Sequence, residues 1–105
     1  SDLDQVKASH RVGADYIEIH TGRYAEARTP IDIEAEFEKI LNAVKLGHKL
    51  GIGISAGHGL NYQNVKRIAS ISEIEELNIG HSIISRAVIV GLDRAVREMK
   101  ELISY

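Results

Sequence analysis

The sequence predicts an α/β fold: a parallel (βα)8 barrel of the TIM type, of which residues 1–105 supply about three strands and their helices as part of one domain. Three observations predict it. Segments of strict apolar alternation take turns with segments of helical period, with almost no spare linker between them. Strands separated by helices pair in parallel through right-handed crossovers. Finally, the strands have unlike faces. Ile17, Ile19, Ile52, Ile54, Leu77 and Ile79 suit a helical layer, while the opposite faces carry Tyr16, Glu18 and His20, then Gly53 and Ser55, then Asn78. An open doubly wound sheet buries aliphatic residues on both faces; a small or polar inner face suits a barrel near its catalytic mouth.

The elements follow in order. Ser1-Asp2-Leu3-Asp4 reads as a capping box opening a short helix that Gly13 ends. Tyr16–His20 alternates as a strand, and residues 21–28 read as a loop. Thr29 is placed to cap a second helix, with Pro30 where its missing N–H costs nothing and Asp32 at the positive helix end. Ile33, Phe37, Ile40, Leu41 and Val44 share one face of that helix, and Gly47 or Gly51 closes it. Residues 51–55 form a second strand running into Ala56-Gly57-His58-Gly59-Leu60. Asn61 caps a short helix with Val65, Ile68 and Ala69; residues 76–79 form the third strand, entering Gly80-His81-Ser82. A short helix runs through Arg86, and Gly91 starts a last one with Leu92, Val96, Met99 and Ile103 on one face. Three strands cannot close a barrel whose usual length is about 250 residues, so more than half of it lies elsewhere.

Composition narrows the function classes. Thirteen Lys and Arg against 15 Asp and Glu give a net charge of −2, with no basic run to mark a nucleic-acid face. The absence of cysteine removes disulfides, thiol catalysis and Cys-ligated zinc, and fits a reducing, cytoplasmic setting. The longest apolar run, Ala87-Val88-Ile89-Val90, is too short for a membrane span, and residues 1–5 resemble no signal peptide. Position 1 is not Met, which suggests a chain cut from something longer.

Polar groups cluster where the strands end: Glu18 with His20-Thr21-Gly22, then His58, then Asn78 with Gly80-His81. In a parallel βα-barrel these ends converge on one pocket. Glycines flanking His58 let the backbone turn sharply while the imidazole projects into the mouth. An imidazole suits proton transfer near neutral pH, which makes His58 the leading catalytic candidate; the competing reading is a loop histidine bonded to backbone. Glu18 lies on the inner face, where a carboxylate needs a cation, a ligand or a proton. His20 is its nearest candidate partner. A Glu/His pair hints at a metal, but no third ligand comes at diagnostic spacing, so none is expected. Gly80, at a helix start, offers free N–H groups and the positive helix end to a phosphate, although a tight turn would also use glycine. Arg86 and Lys66 read as solvated charges, and Tyr24 as a packing aromatic or a cover for the mouth.

Together these residues resemble the pyridoxine 5′-phosphate synthase family. The resemblance is carried by Ile17-Glu18-Ile19-His20-Thr21-Gly22 with Tyr24-Ala25, Ala56-Gly57-His58-Gly59-Leu60 with Asn64-Val65, Glu76-Leu77-Asn78-Ile79-Gly80-His81-Ser82-Ile83-Ile84, and Arg86-Ala87-Val88 with Gly91-Leu92. It spans essentially the whole chain and implies the C-terminal portion of the barrel. It further implies a homo-oligomer, commonly an octamer, with no metal or organic cofactor. The implied reaction condenses 1-deoxy-D-xylulose 5-phosphate with 3-amino-2-oxopropyl phosphate in vitamin B6 biosynthesis. By matching position, His58 is the implied proton donor and Glu18 the implied transition-state-stabilising carboxylate. Gly59, Gly80 and His81 are implied contacts for the amino-ketone phosphate. The family's other base histidine, second carboxylate and phosphate-binding arginines have no counterpart here, so the chain alone is expected to be inactive. Ser55 departs from the asparagine expected at its position, which puts the local hydrogen bonding in doubt.

Two rivals remain at this level. A different phosphate-handling barrel, such as an isomerase or aldolase, is one, but no strand ends in the lysine that a Schiff-base aldolase wants. The other is a non-catalytic phosphate-binding barrel fragment, whose open parallel edges would favour self-association.

Overall fold

A computed structural model of the chain describes residues 2–104; Ser1, expected to cap the first helix, lies outside them. The elements run α1 (Asp2–Arg11), β1 (Tyr16–His20), α2 (Gly22–Glu26), α3 (Pro30–Lys49), β2 (Gly53–Gly57), α4 (Val65–Ala69), β3 (Ile74–Asn78), α5 (Gly80–Val90) and α6 (Leu92–Ile103). The three strands form one parallel sheet in the order β1-β2-β3. Each crossover is helical, as parallel pairing requires. The fold is thus α/β with a small parallel sheet.

The expected division between strand faces holds. Ile19, Ile52, Ile54, Ala56 and Ile79 are buried in one cluster with Val6, Phe37, Ile40, Val44, Val65, Ile68 and Met99 from the helices. Full burial of one such aliphatic side chain contributes about 1.5–3 kcal/mol. The opposite sheet face carries Tyr16, 69% exposed, together with exposed Glu18, His20 and Asn78.

Local signals account for the longest helix. Thr29 is extended, and its Oγ1 accepts a hydrogen bond from the Asp32 N–H at 3.1 Å, with Pro30 as the first helical residue. Phe37, Ile40 and Val44 are buried from its apolar stripe, with Ile33 and Leu41 packed alongside. The helix continues through Gly47 to Lys49, and Gly51 turns the chain at φ +79°.

Several expectations need correction. Residues 21–28 are not all loop: α2 forms there, because Tyr24 anchors it by packing on Phe37 and donating to the Asn64 carbonyl at 2.9 Å. The second strand begins and ends two residues later than expected, since pairing runs from Tyr16↔Gly53 to His20↔Gly57. The last helix buries Ala95 and Met99, whereas Leu92 is 58% exposed and Val96 half exposed. Small Ala95 sits inside, and its carbonyl accepts from the Tyr62 hydroxyl at 2.8 Å. The third strand also begins two residues earlier than expected and is irregular: Ile54↔Ile74 is followed by Ser55↔Glu76, which leaves Glu75 as an extra residue.

Helix α5 buries none of its side chains fully, and Ile84, Val88 and Ile89 stay exposed. Arg86, expected to be a solvated charge, is half-buried and forked onto Glu98 at 3.2 and 3.3 Å. Its hydrogen bonds, with the one from Arg94, hold the Glu98 carboxyl below its ordinary range. Among the described residues, no helix is long and apolar enough to cross a membrane.

Candidate active site

The C-terminal ends of β1 and β2 are bound together beyond the last ladder pair. The Thr21 N–H donates to the Gly57 carbonyl at 2.8 Å, and its side-chain hydroxyl donates to the His58 carbonyl at 2.7 Å. Thr21 is fully buried. His58 is the only non-glycine residue at positive φ (+92°) among those described, and Gly59 follows at +76°. An L side chain in this region is uncommon, and its strain persists only where the surroundings hold it. Gly22 supplies part of that surround: a Cβ there would lie 2.9 Å from His58 Cδ2. A Cβ at Gly59 would lie 2.7 Å from the Ala25 methyl, so the turn and α2 approach as closely as their small residues allow.

This turn leaves the His58 imidazole exposed and stacked on His20, with ring centroids 6.0 Å apart and planes 20° from parallel. His20 Nε2 stands 3.7 Å from Glu18 Oε1, which makes His20 the partner expected for that carboxylate. The other Glu18 oxygen accepts from Asn78 Nδ2 at 2.5 Å. Side chains from β1 and β3, and the turn after β2, thus form a chain running Asn78–Glu18–His20–His58. Gly57 makes room for it, because a Cβ there would lie 2.7 Å from Asn78 Cβ and 3.4 Å from Glu18 Oε2.

His58 and His20 line a cleft of about 660 Å³ shared with Gly22, Arg23 and Tyr24 from the β1 end and with Lys39 from α3. Glu18, Gly80 and His81 lie outside its wall. Gly80 opens α5 behind Asn78, and nothing lies within 4 Å of where its Cβ would stand. The residue before it, Ile79, has no side-chain cap to offer, so the first-turn N–H groups of α5 are open to an external acceptor. His81 is exposed in that turn.

Sequence reasoning grouped Thr21 and Asn78 with the strand-end polar residues but gave them no task. Arg23 was missed, since a single arginine in an expected loop carries no signal of its own. Tyr24 is a packing residue that also reaches the cleft. Burial pushes its phenol above the ordinary 10.0, against the opposing pull of Arg67. A phenol raised in the folded state supports stability fully below pH about 10, and that support is lost as pH rises through the folded value. In an alkaline titration followed by tyrosinate absorbance, Tyr24→Phe should therefore remove a step lying above pH about 10.

Comparison with known proteins places this chain in a family. A family model described as "Pyridoxal phosphate biosynthesis protein PdxJ" matches residues 1–105. The chain belongs to the PdxJ family. Among its relatives, the pyridoxine 5′-phosphate synthase of Geobacter sulfurreducens is 67% identical over 104 residues, covering 99% of this chain and 44% of that protein. Those of Geobacter metallireducens and Syntrophotalea carbinolica are 64% and 62% identical, covering 44% and 43% of their lengths. The chain therefore spans less than half the length of these curated relatives.

Proposed function

We propose that this chain forms one side of the catalytic site of a pyridoxine 5′-phosphate synthase, a transferase built as a (βα)8 barrel. The observation that carries the proposal is the chain of contacts linking Glu18, His20 and His58 at the sheet's C-terminal end. Family membership supports it. The barrel is supported by three adjacent parallel strands in sequential order with a polar face left uncovered. The exposed apolar side chains of α5 suit burial against further barrel helices.

The reaction condenses 1-deoxy-D-xylulose 5-phosphate with 3-amino-2-oxopropyl phosphate, releasing phosphate and water. Carbonyl–amine condensation and ring closure require repeated proton transfers. His58 donates a proton to the departing oxygen, and Glu18 stabilises the positive charge that develops nearby. Gly59 and the open start of α5, at Gly80 and His81, hold the amino-ketone phosphate through backbone N–H groups and the helix dipole. Neither metal nor organic cofactor takes part. The complete enzyme is a cytoplasmic homo-oligomer, an octamer in the family pattern, acting on small phosphorylated molecules with no nucleic acid or membrane partner.

The test is a graft in which this segment replaces the matching 104 residues of the Geobacter sulfurreducens synthase. With both substrates, the graft should release phosphate and form pyridoxine 5′-phosphate, whereas the 105-residue chain alone should do neither. A folded graft without turnover would refute the activity, and turnover by the chain alone would refute the half-site.

A further inference from the structure

We infer that Thr21 is a positioning residue for His58: its buried hydroxyl latches the His58 carbonyl and holds the left-handed backbone that aims the imidazole at the cleft. The inference rests on the proposed synthase reading for its catalytic consequence, and on geometry alone for its conformational one. Three observations converge on it. Thr21 is the only buried polar side chain among the described residues, and it spends its single O–H on a carbonyl 37 positions away. That carbonyl belongs to the one non-glycine residue with positive φ among those described. The Thr21 N–H takes the preceding carbonyl, Gly57 O, so two successive peptide groups of the turn are gripped by one residue.

The latch has a mechanical reason. Two consecutive left-handed residues, His58 and Gly59, form a turn that local preferences do not hold, because an imidazole-bearing residue favours negative φ. Glycine at 59 tolerates its own conformation, but His58 needs an external restraint. No other side-chain hydrogen bond to the His58 backbone is found among the described residues. Gly22, directly after Thr21, lies against the His58 ring, so the same short segment fixes both backbone and ring. Releasing the carbonyl lets φ relax and swings the imidazole away from His20.

Thr21→Val removes the hydroxyl at nearly constant shape, and Thr21→Ser restores it. In the Geobacter sulfurreducens graft, Thr21→Val should lower kcat by about tenfold with KM within about twofold, and Thr21→Ser should recover most of the loss. Unchanged kcat in Thr21→Val, or equal loss in the serine and valine variants, would overturn the inference. A graft that is inactive before any substitution would instead sink the synthase reading, and the latch is then decided by NMR. Thr21→Val should move the His58 Cα shift, which reports φ, while Thr21→Ser should not; an unmoved His58 in the valine variant overturns the latch.

Discussion

Replacing His58 by alanine in the grafted synthase is expected to lower kcat by about 10²–10⁴-fold and to leave KM little changed, the range spanned by loss of a positioned general acid. His58 is exposed on the cleft wall and stacked on His20, so its ring contributes little to the core. Alanine alone is an imperfect probe, because it also meets the left-handed backbone that His58 adopts. His58→Asn answers this. Asparagine tolerates that conformation better than most residues but carries no group that exchanges a proton near neutral pH. Both variants should therefore lose turnover alike, with thermal unfolding close to that of the parent graft. Wild-type kcat in His58→Asn would remove the imidazole from the proton-transfer step, whatever alanine does.

The parts of this site legible in the sequence are those governed by local rules. The period of the first strand, the Thr29-Pro30 helix start and the glycine after His58 are statements about neighbours in the chain, and each appears where expected. The polar strand ends were legible too, because parallel βα topology gathers them at one end whatever their chemistry. Contacts between distant residues were not legible. Thr21 reaches across 37 positions to His58, and Asn78 across 60 to Glu18, so neither task is written in any local pattern. The same limit explains α2. The four small or polar residues around Tyr24 carry no helical stripe, and the helix is fixed by where Tyr24 docks, against Phe37 and the Asn64 carbonyl. It also explains α6, where counting large apolar residues overlooked Ala95, whose small side chain is what permits close packing.

Gly57→Ala is expected to damage both stability and turnover, although its backbone is not in the left-handed region and alanine ordinarily suits a sheet better than glycine. The objection to alanine is space. The new methyl would lie 2.7 Å from Asn78 Cβ and 3.1 Å from the Asn78 carbonyl oxygen, atoms fixed to β3 that cannot rotate aside. Gly57 and Asn78 are register partners, so relief requires moving the strands apart at their C-terminal ends. Overpacking of this kind costs about 1–3 kcal/mol. In a barrel of the relatives' size that lowers Tm by about 2–4 °C per kcal/mol. The displaced Asn78 is also the residue that holds Glu18, so the carboxylate shifts with it and kcat should fall with Tm. Gly80→Ala is the control for stability, since nothing lies within 4 Å of its Cβ position and the Tm measured without ligand should not drop. Equal Tm values for the two variants would mean that β2 and β3 do not approach at Gly57 as closely as described, and the Asn78–Glu18 link would lose its structural basis. A drop confined to Gly57→Ala, with kcat falling in parallel, ties the packing of two strand ends to the placement of the Glu18 carboxylate.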